Sequence, residues 1–151
     1  MALNFLGDRL KVKTSLQWVG EKAFSYESNS GFTGFVDGAA RDSDAAKGPT
    51  PMELLLVGLG GCTAYDVVGI LQKARQDVVD CQIQLQAERA TTVPAVFTKI
   101  HIHFLVSGRA LKESQVHRAI ELSAKKYCSA SLMLEQGGVE ISHSHELIEV
   151  S

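Results

Sequence analysis

The sequence predicts an α+β fold, an antiparallel sheet packed with one long central helix. Three observations lead there. Short runs of alternating apolar and polar residues open the chain. A long apolar stretch with a helix start ahead of it comes next, from Met52 to Leu71. Two more alternating runs, an amphipathic helix and a closing strand complete the order. Strands and helices in that order, without regular βαβ alternation, favour an α+β arrangement over a parallel sheet.

Lys11 to Val19 carries Val12, Thr14, Leu16 and Trp18 at a period of two, which predicts a strand. Gly20–Glu21 reads as a turn, Ala23 to Ser28 as a second strand, Ser28 to Gly31 as another turn, and Phe32 to Val36 as a third strand. Asp37 to Thr50 is rich in Gly, Ala, Asp and Ser and reads as a loop. Thr50–Pro51–Met52–Glu53 is a helix start: Thr50 caps, Pro51 suits the first helical position, and Glu53 completes a capping box. The helix runs to about Leu71, with Lys73 and Arg75 near its C-terminal end. It is apolar nearly all round, so it belongs at the centre of a protein. One small sheet cannot cover such a helix, and a second copy of the chain would cover the other face. Its length also suits a membrane span, but Glu53, Asp66 and three glycines at Gly58, Gly60 and Gly61 favour a buried helix.

Cys81 to Arg89 alternates, with Cys81, Ile83, Leu85 and Ala87 on one face. Ile100, Ile102, Phe104 and Val106 repeat the pattern opposite Lys99, His101 and His103. Pro94 lies in the connection, and Gly108 ends the second strand. Leu111 to Tyr127 is an amphipathic helix with Val116, Ala119, Ile120, Ala124 and Tyr127 on one side. A short continuation runs through Leu132 to the break at Gly137–Gly138, and Val139 to Val150 closes the fold as a strand. The chain of 151 residues is expected to form a single domain, 1–151.

Composition excludes some classes of function. With 45% hydrophobic residues, 21% charged residues and a formal net charge of −2, no basic run or face is visible. Nucleic acid is therefore not an expected partner, nor is a membrane. Met1 to Val12 lacks a continuous apolar core and a small-residue cleavage site, so a cytoplasmic location is expected. In that compartment three cysteines are seldom structural disulfides.

Cys81 lies on an apolar strand face and reads as an inert buried thiol. Cys62 follows Gly60–Gly61 inside the central helix, with Gly58 one turn back and Asp66 one turn on. Glycine inside a helix costs about 1 kcal/mol relative to alanine, so something is expected to approach closely. That leaves two readings of Cys62, a tight helix crossing or access for a substrate or second thiol. Cys128 closes the amphipathic helix, one turn after Ala124, and Lys125 and Lys126 nearby favour a thiolate if they point at it. His101 with His103, and His143 with His145, form two His-x-His pairs on strands. They suit either a metal or plain polar strand positions, and His117 is expected on a helix surface. No metal or cofactor is expected.

The segments Pro51–Met52–Glu53–Leu54, Gly60–Gly61–Cys62–Thr63–Ala64–Tyr65–Asp66–Val67–Val68 and Lys126–Tyr127–Cys128–Ser129 together resemble the OsmC/Ohr superfamily. With the run Ile70 to Cys81, they most resemble its YhfA-type branch. The resemblance covers residues 11 to 150. It implies an OsmC-like fold, an intertwined homodimer and a peroxiredoxin-like role in oxidative stress response. The first cysteine attacks an organic hydroperoxide and the second resolves it, roles that fall here on Cys62 and Cys128. A dithiol of the lipoyl kind is the implied reductant. The family places a Glu directly after the helix-opening Pro and an Arg near the first Cys. Here Met52 follows Pro51 and the Glu is one position later, about 100° round the helix. Glu53 and Arg41 are the corresponding candidates. A disulfide between Cys62 and Cys128 needs their helices to cross, and Gly58–Cys62 is the expected place. The alternative to a thiol peroxidase is a non-catalytic protein that binds a small apolar ligand in the dimer groove.

Overall fold

The computed structural model describes residues 11–40 and 45–151. Arg41 and the segment Met1 to Leu10 lie outside the described residues. The described chain groups into two compact units, the first ending at Leu55 and the second beginning at Leu56.

The first unit holds an antiparallel meander, β1 (Thr14–Gly20), β2 (Ala23–Ser28) and β3 (Thr33–Asp37), in that spatial order. Trp18 pairs with Phe24, and the register slips by one between Trp18 and Gly20. Gly20 and Glu21 both take positive φ and make the predicted turn. Asp37 ends β3 and accepts backbone N–H bonds from Ala39 and Lys47 at 2.9 and 3.2 Å. These bonds hold its carboxyl below the usual carboxylate range, burial opposing them and Lys47 and Lys22 assisting.

Helix α1 (Pro51–Lys73) starts in this unit. The predicted capping box is present. Glu53 N–H donates to Thr50 Oγ1 at 3.3 Å, while the Thr50 N–H and hydroxyl both donate to Glu53 Oε2, at 2.7 and 2.9 Å. By length and composition α1 could cross a membrane, but one stripe of it, Leu59, Thr63, Val67 and Leu71, is buried within the chain. The burial is not all round. Leu55 is 50% exposed, Val57 64% and Tyr65 81%.

The second unit is built on β4 (Asp77–Arg89), β5 (Phe97–Arg109) and β6 (Glu140–Glu149), with β5 in the middle. The strands run longer than the alternation alone suggests, since Val78 already pairs with Gly108 and β5 continues through Gly108 to Arg109. The pairing β4–β5 is antiparallel as expected. β6, however, runs parallel to β5, with Ile102 opposite His143 and Phe104 opposite His145. Residues 110–139 make the crossover that a parallel pair requires, and its helices are α2 (Glu113–Leu122) and α3 (Ser129–Gln136). Ile100, Ile102, Phe104 and Val106 of β5, Val116, Ala119 and Ile120 of α2, and Leu59, Val67 and Leu71 of α1 supply the core.

Gly60 explains how α1 lies so close to the sheet. A Cβ there would stand 2.8 Å from Leu85 Cδ1 of β4, inside contact distance. Gly58, Gly61 and Gly69 face open space.

Candidate functional site

The predicted amphipathic helix does not run unbroken to Cys128. After Leu122 the backbone widens into a single π-type turn, Ser123–Tyr127, closed by Cys128 N–H donating to Ser123 O at 2.8 Å. One extra residue enters that turn and rotates the chain beyond it. Ser123 and Cys128, five apart, are therefore both fully buried, while Tyr127 turns out to 50% exposure instead of joining the apolar side.

Cys128 then leaves helical geometry, at φ −73° and ψ 100°, and becomes the N-cap of α3. Its sulfur takes the place of a capping hydroxyl or carboxylate. Ser131 N–H donates to it at 3.4 Å and Ser131 Oγ at 3.2 Å, and Thr63 Oγ1 of α1 lies 3.4 Å away. This capping by sulfur is not what the lysines of the sequence suggest. Lys125 pairs with Glu121 at 2.9 Å, and Lys126 sits over the Tyr127 ring.

Helix α1 brings Cys62 to the same place. The thiol sulfurs of Cys62 and Cys128 and a carboxylate oxygen of Asp66 all lie within 4.8 Å of one another. Ser123 Oγ donates to Asp66 Oδ2 at 3.1 Å and fixes the carboxylate. The two cysteine-bearing segments thus meet at the Cys62 end of the expected Gly58–Cys62 stretch, through Cys62, Thr63 and Asp66, while nothing approaches within 4 Å of a Cβ position at Gly58. All three cysteines are free thiols.

The two sulfurs are electrostatically unlike. Burial pushes the half-buried Cys62 thiol up; the Ala130 N–H opposes this, and negative charge on Cys128 and Asp66 adds to it. Burial also acts against a Cys128 thiolate, but the hydrogen bonds from Ser131 and Thr63 outweigh it and bring Cys128 below its ordinary value. The first-turn amides of α3 thus serve both sulfurs, Ala130 toward Cys62 and Ser131 toward Cys128.

Beside this cluster is an open groove of about 540 Å³. Tyr65, Ile70, Leu122 and Tyr127 form its apolar lining, and Asp66 belongs to both the groove and the cluster.

The other sequence candidates fall elsewhere. Glu53 is engaged in the capping box, and Arg41 lies outside the described residues. Cys81 is half-buried on β4 opposite Val106, its thiol pushed up first by burial and then by Asp80. His101 and His103 bond to the β6 serines: His101 reaches Ser142 and Ser144 at 2.7 Å, and His103 reaches Ser144 at 2.7 Å. His143 stacks on Phe104 and is held below its ordinary value by burial and by His101. His145 meets Glu113, and His117 is an exposed partner of Glu121 on α2. Thr63, Ser123 and Ser131 escape sequence reasoning. The available signal is the spacing Cys128-x-x-Ser131, which matches an N-cap reaching its third residue with sulfur in place of oxygen.

Residues 43–144 match the family model described as OsmC-like protein. The chain is 49% identical over 137 residues to Protein YhfA of Escherichia coli (strain K12), an alignment covering 91% of this chain and 98% of that protein. A crystal structure of a protein from Aquifex aeolicus VF5 superposes with a TM-score of 0.82 at 29% identity, over 93% of this chain and 98% of that one. The organic hydroperoxide resistance protein OhrB of Bacillus subtilis shares the fold at a TM-score of 0.60 and 17% identity, over 90% and 98% of the two chains. The family model takes in both α1 with Cys62 and the helix cap Cys128, and the match to YhfA runs nearly end to end; the chain belongs to the OsmC-like family.

Proposed function

We propose that this protein reduces organic hydroperoxides with Cys62 and Cys128, as part of a cytoplasmic defence against oxidative stress. One observation carries the reading: two free cysteines, on α1 and at the head of α3, converge within 4.8 Å in a site that favours charge on one of them. Family membership points to peroxide-related stress defence, and the fold is shared with an organic hydroperoxide resistance protein.

Cys62 is the attacking thiol because Cys128 is wholly buried and Cys62 is not. The directions of the two shifts mean that when the pair loses its first proton, the one that remains stays mainly on Cys62 and the charge falls on Cys128. Transfer of that proton to Cys128 frees a Cys62 thiolate, which attacks the outer peroxide oxygen. The O–O bond breaks, Cys62 becomes a sulfenic acid, and the departing alkoxide takes the proton back from Cys128 to leave as an alcohol. The Cys128 thiolate then attacks the Cys62 sulfur, forming the disulfide and expelling hydroxide, which is protonated to water. The sulfurs must close by less than about 3 Å to reach bonding distance. An external dithiol of the lipoyl kind restores both thiols by two exchanges. The groove beside Asp66 offers Tyr65, Ile70, Leu122 and Tyr127 to an alkyl chain, so bulky hydroperoxides should outrun hydrogen peroxide.

The functional molecule in this reading is a homodimer of single-domain chains. The open face of α1, with Leu55, Val57 and Tyr65 beside Gly58, Gly61 and Gly69, is the surface a second copy covers. Glu53 and Arg41 remain candidates for orienting the thiolate, Glu53 in addition to its cap.

The test is hydroperoxide consumption by the purified protein with a panel of alkyl hydroperoxides and dithiols. Wild type should turn over, and Cys62→Ser should neither turn over nor yield a sulfenic acid to trap. Cys128→Ser should react once and stall as a trappable sulfenic acid on Cys62. No consumption with any dithiol, or full activity in Cys62→Ser, overturns the enzyme reading and leaves the binding of a small apolar ligand in its place.

A further inference from the structure

We propose that Cys62, Asp66 and Cys128 of the reduced protein form a binding site for one zinc ion. The proposal goes beyond the peroxidase reading and does not depend on it, since a reduced thiol pair can take a metal whether or not it ever meets a peroxide.

The donor atoms already converge. Two sulfurs and one carboxylate oxygen lie within 4.8 Å of one another. Around a tetrahedral zinc ion with Zn–S of about 2.3 Å and Zn–O of about 2.1 Å, donors stand roughly 3.6–3.8 Å apart. Side-chain movements of about 1 Å would close that gap. The donors come from two separate elements, α1 for Cys62 and Asp66 and the head of α3 for Cys128, so the ion would tie them together. Cys62 and Asp66 are spaced i and i+4 on α1, which puts both on one face of the helix.

The surroundings suit a metal centre. Ser123 donates to Asp66 Oδ2 and holds the carboxylate in place. Ser131 and Thr63 hold the Cys128 sulfur. Such outer hydrogen bonds orient ligands and tune a metal site. Two thiolates with one carboxylate select a soft or borderline cation over magnesium or calcium. Three protein ligands leave a fourth position open on the groove side of Asp66, for water or an incoming thiol.

The chemistry of loading is simple. Zinc binds both sulfurs as thiolates, so the protons that the two thiols hold are released to solvent and affinity rises with pH. No electron moves. A loaded pair holds its sulfur lone pairs on the metal and is unable to form the disulfide; oxidation to the disulfide removes two of the three ligands and releases the ion.

The test uses the full-length protein, reduced and freed of metal under anaerobic conditions. Cobalt(II) serves as the coloured probe and zinc(II) as its competitor. Wild type should bind one cobalt per chain with intense thiolate-to-cobalt charge-transfer bands and tetrahedral ligand-field bands, and zinc should bleach both. Cys81→Ser should match wild type. Cys62→Ser should lose about half of the charge-transfer intensity or all binding. Asp66→Asn, which keeps the side-chain shape, should keep the charge-transfer bands but bind roughly ten- to a hundredfold more weakly. A second measurement on wild type needs no variant: zinc should slow alkylation of Cys62 and should not bind the disulfide form. Absence of charge-transfer bands in wild type, unchanged binding by Cys62→Ser, or unchanged affinity in Asp66→Asn overturns the site. Weak uptake of several ions per chain without charge transfer means adventitious binding only and overturns it equally. No peroxide enters the titration, so its outcome is separable from that of the hydroperoxide assay.

Discussion

At the scale of single residues, the arrangement turns on which sulfur carries charge. Cys128 accepts hydrogen bonds from Ser131 and is approached by Thr63, while Cys62 is pushed up by burial and by the negative groups beside it. The direction of these shifts predicts a pH profile. Cys62 should be alkylated slowly until the pH passes above its ordinary thiol value of 9.0. In Cys128→Ser the neighbouring charge is gone, so the Cys62 profile should move to lower pH. Ser131→Ala removes one of the donors to the Cys128 sulfur and should move the first thiol titration of the pair to higher pH, as read by thiolate absorbance. A Cys62 profile that is identical in wild type and Cys128→Ser would mean the two sulfurs do not interact. Sequence alone made Cys62 and Cys128 legible, because motif and glycine spacing single them out. It did not reveal the source of the charge. The lysines adjacent to Cys128 are committed to Glu121 and Tyr127, and the serine that matters stands in the next helix.

Among the elements, α1 is the most legible and α2 with α3 the least. Thr50, Pro51 and Glu53 specify the start of α1 locally, and the structure has each of those bonds. The π-type turn at Ser123–Tyr127 has no local signature, because an apolar period of 3.6 does not announce one inserted residue. Consequently Ser123 is buried where Ala124 was expected, and Cys128 heads a new helix where it was expected to close the old one. The direction of β6 was equally hidden, since a strand's own pattern does not state whether its neighbour runs parallel. The contact of α1 with β4 supports a prediction at this scale. Gly60→Leu should destabilise the protein by about 1–3 kcal/mol, since its side chain must displace Leu85. Gly60→Ala should stay within about 1 kcal/mol of wild type, because Leu85 can rotate away and alanine favours the helix. Chemical denaturation separates the two; equal stability of Gly60→Leu and wild type would show that the approach is not tight.

For the whole molecule, the question is what lies on the open side of α1. Val57 and Tyr65 are largely exposed in the single chain, and Gly58, Gly61 and Gly69 meet nothing. Each such glycine costs the helix about 1 kcal/mol relative to alanine, a cost that makes physical sense where another backbone comes close. Sedimentation should show a dimer at micromolar concentration. Gly61→Leu, which adds bulk where the single chain has room, should weaken that dimer at least tenfold and leave the far-UV spectrum unchanged. A stable, well-folded wild-type monomer would overturn the homodimer reading.

The parallel pairing of β5 with β6 also sets a schedule for synthesis. The β4–β5 hairpin can form as soon as it leaves the ribosome, but one edge of β5 then stays unpaired until residues 140–149 emerge, after the whole crossover has been made. During that interval the nascent chain displays a long, apolar strand edge carrying Ile100, Ile102, Phe104 and Val106, the kind of edge that recruits other chains. The strand that completes the sheet thus also ends a window of vulnerability, and a ribosome stalled between residues 110 and 139 would hold that window open.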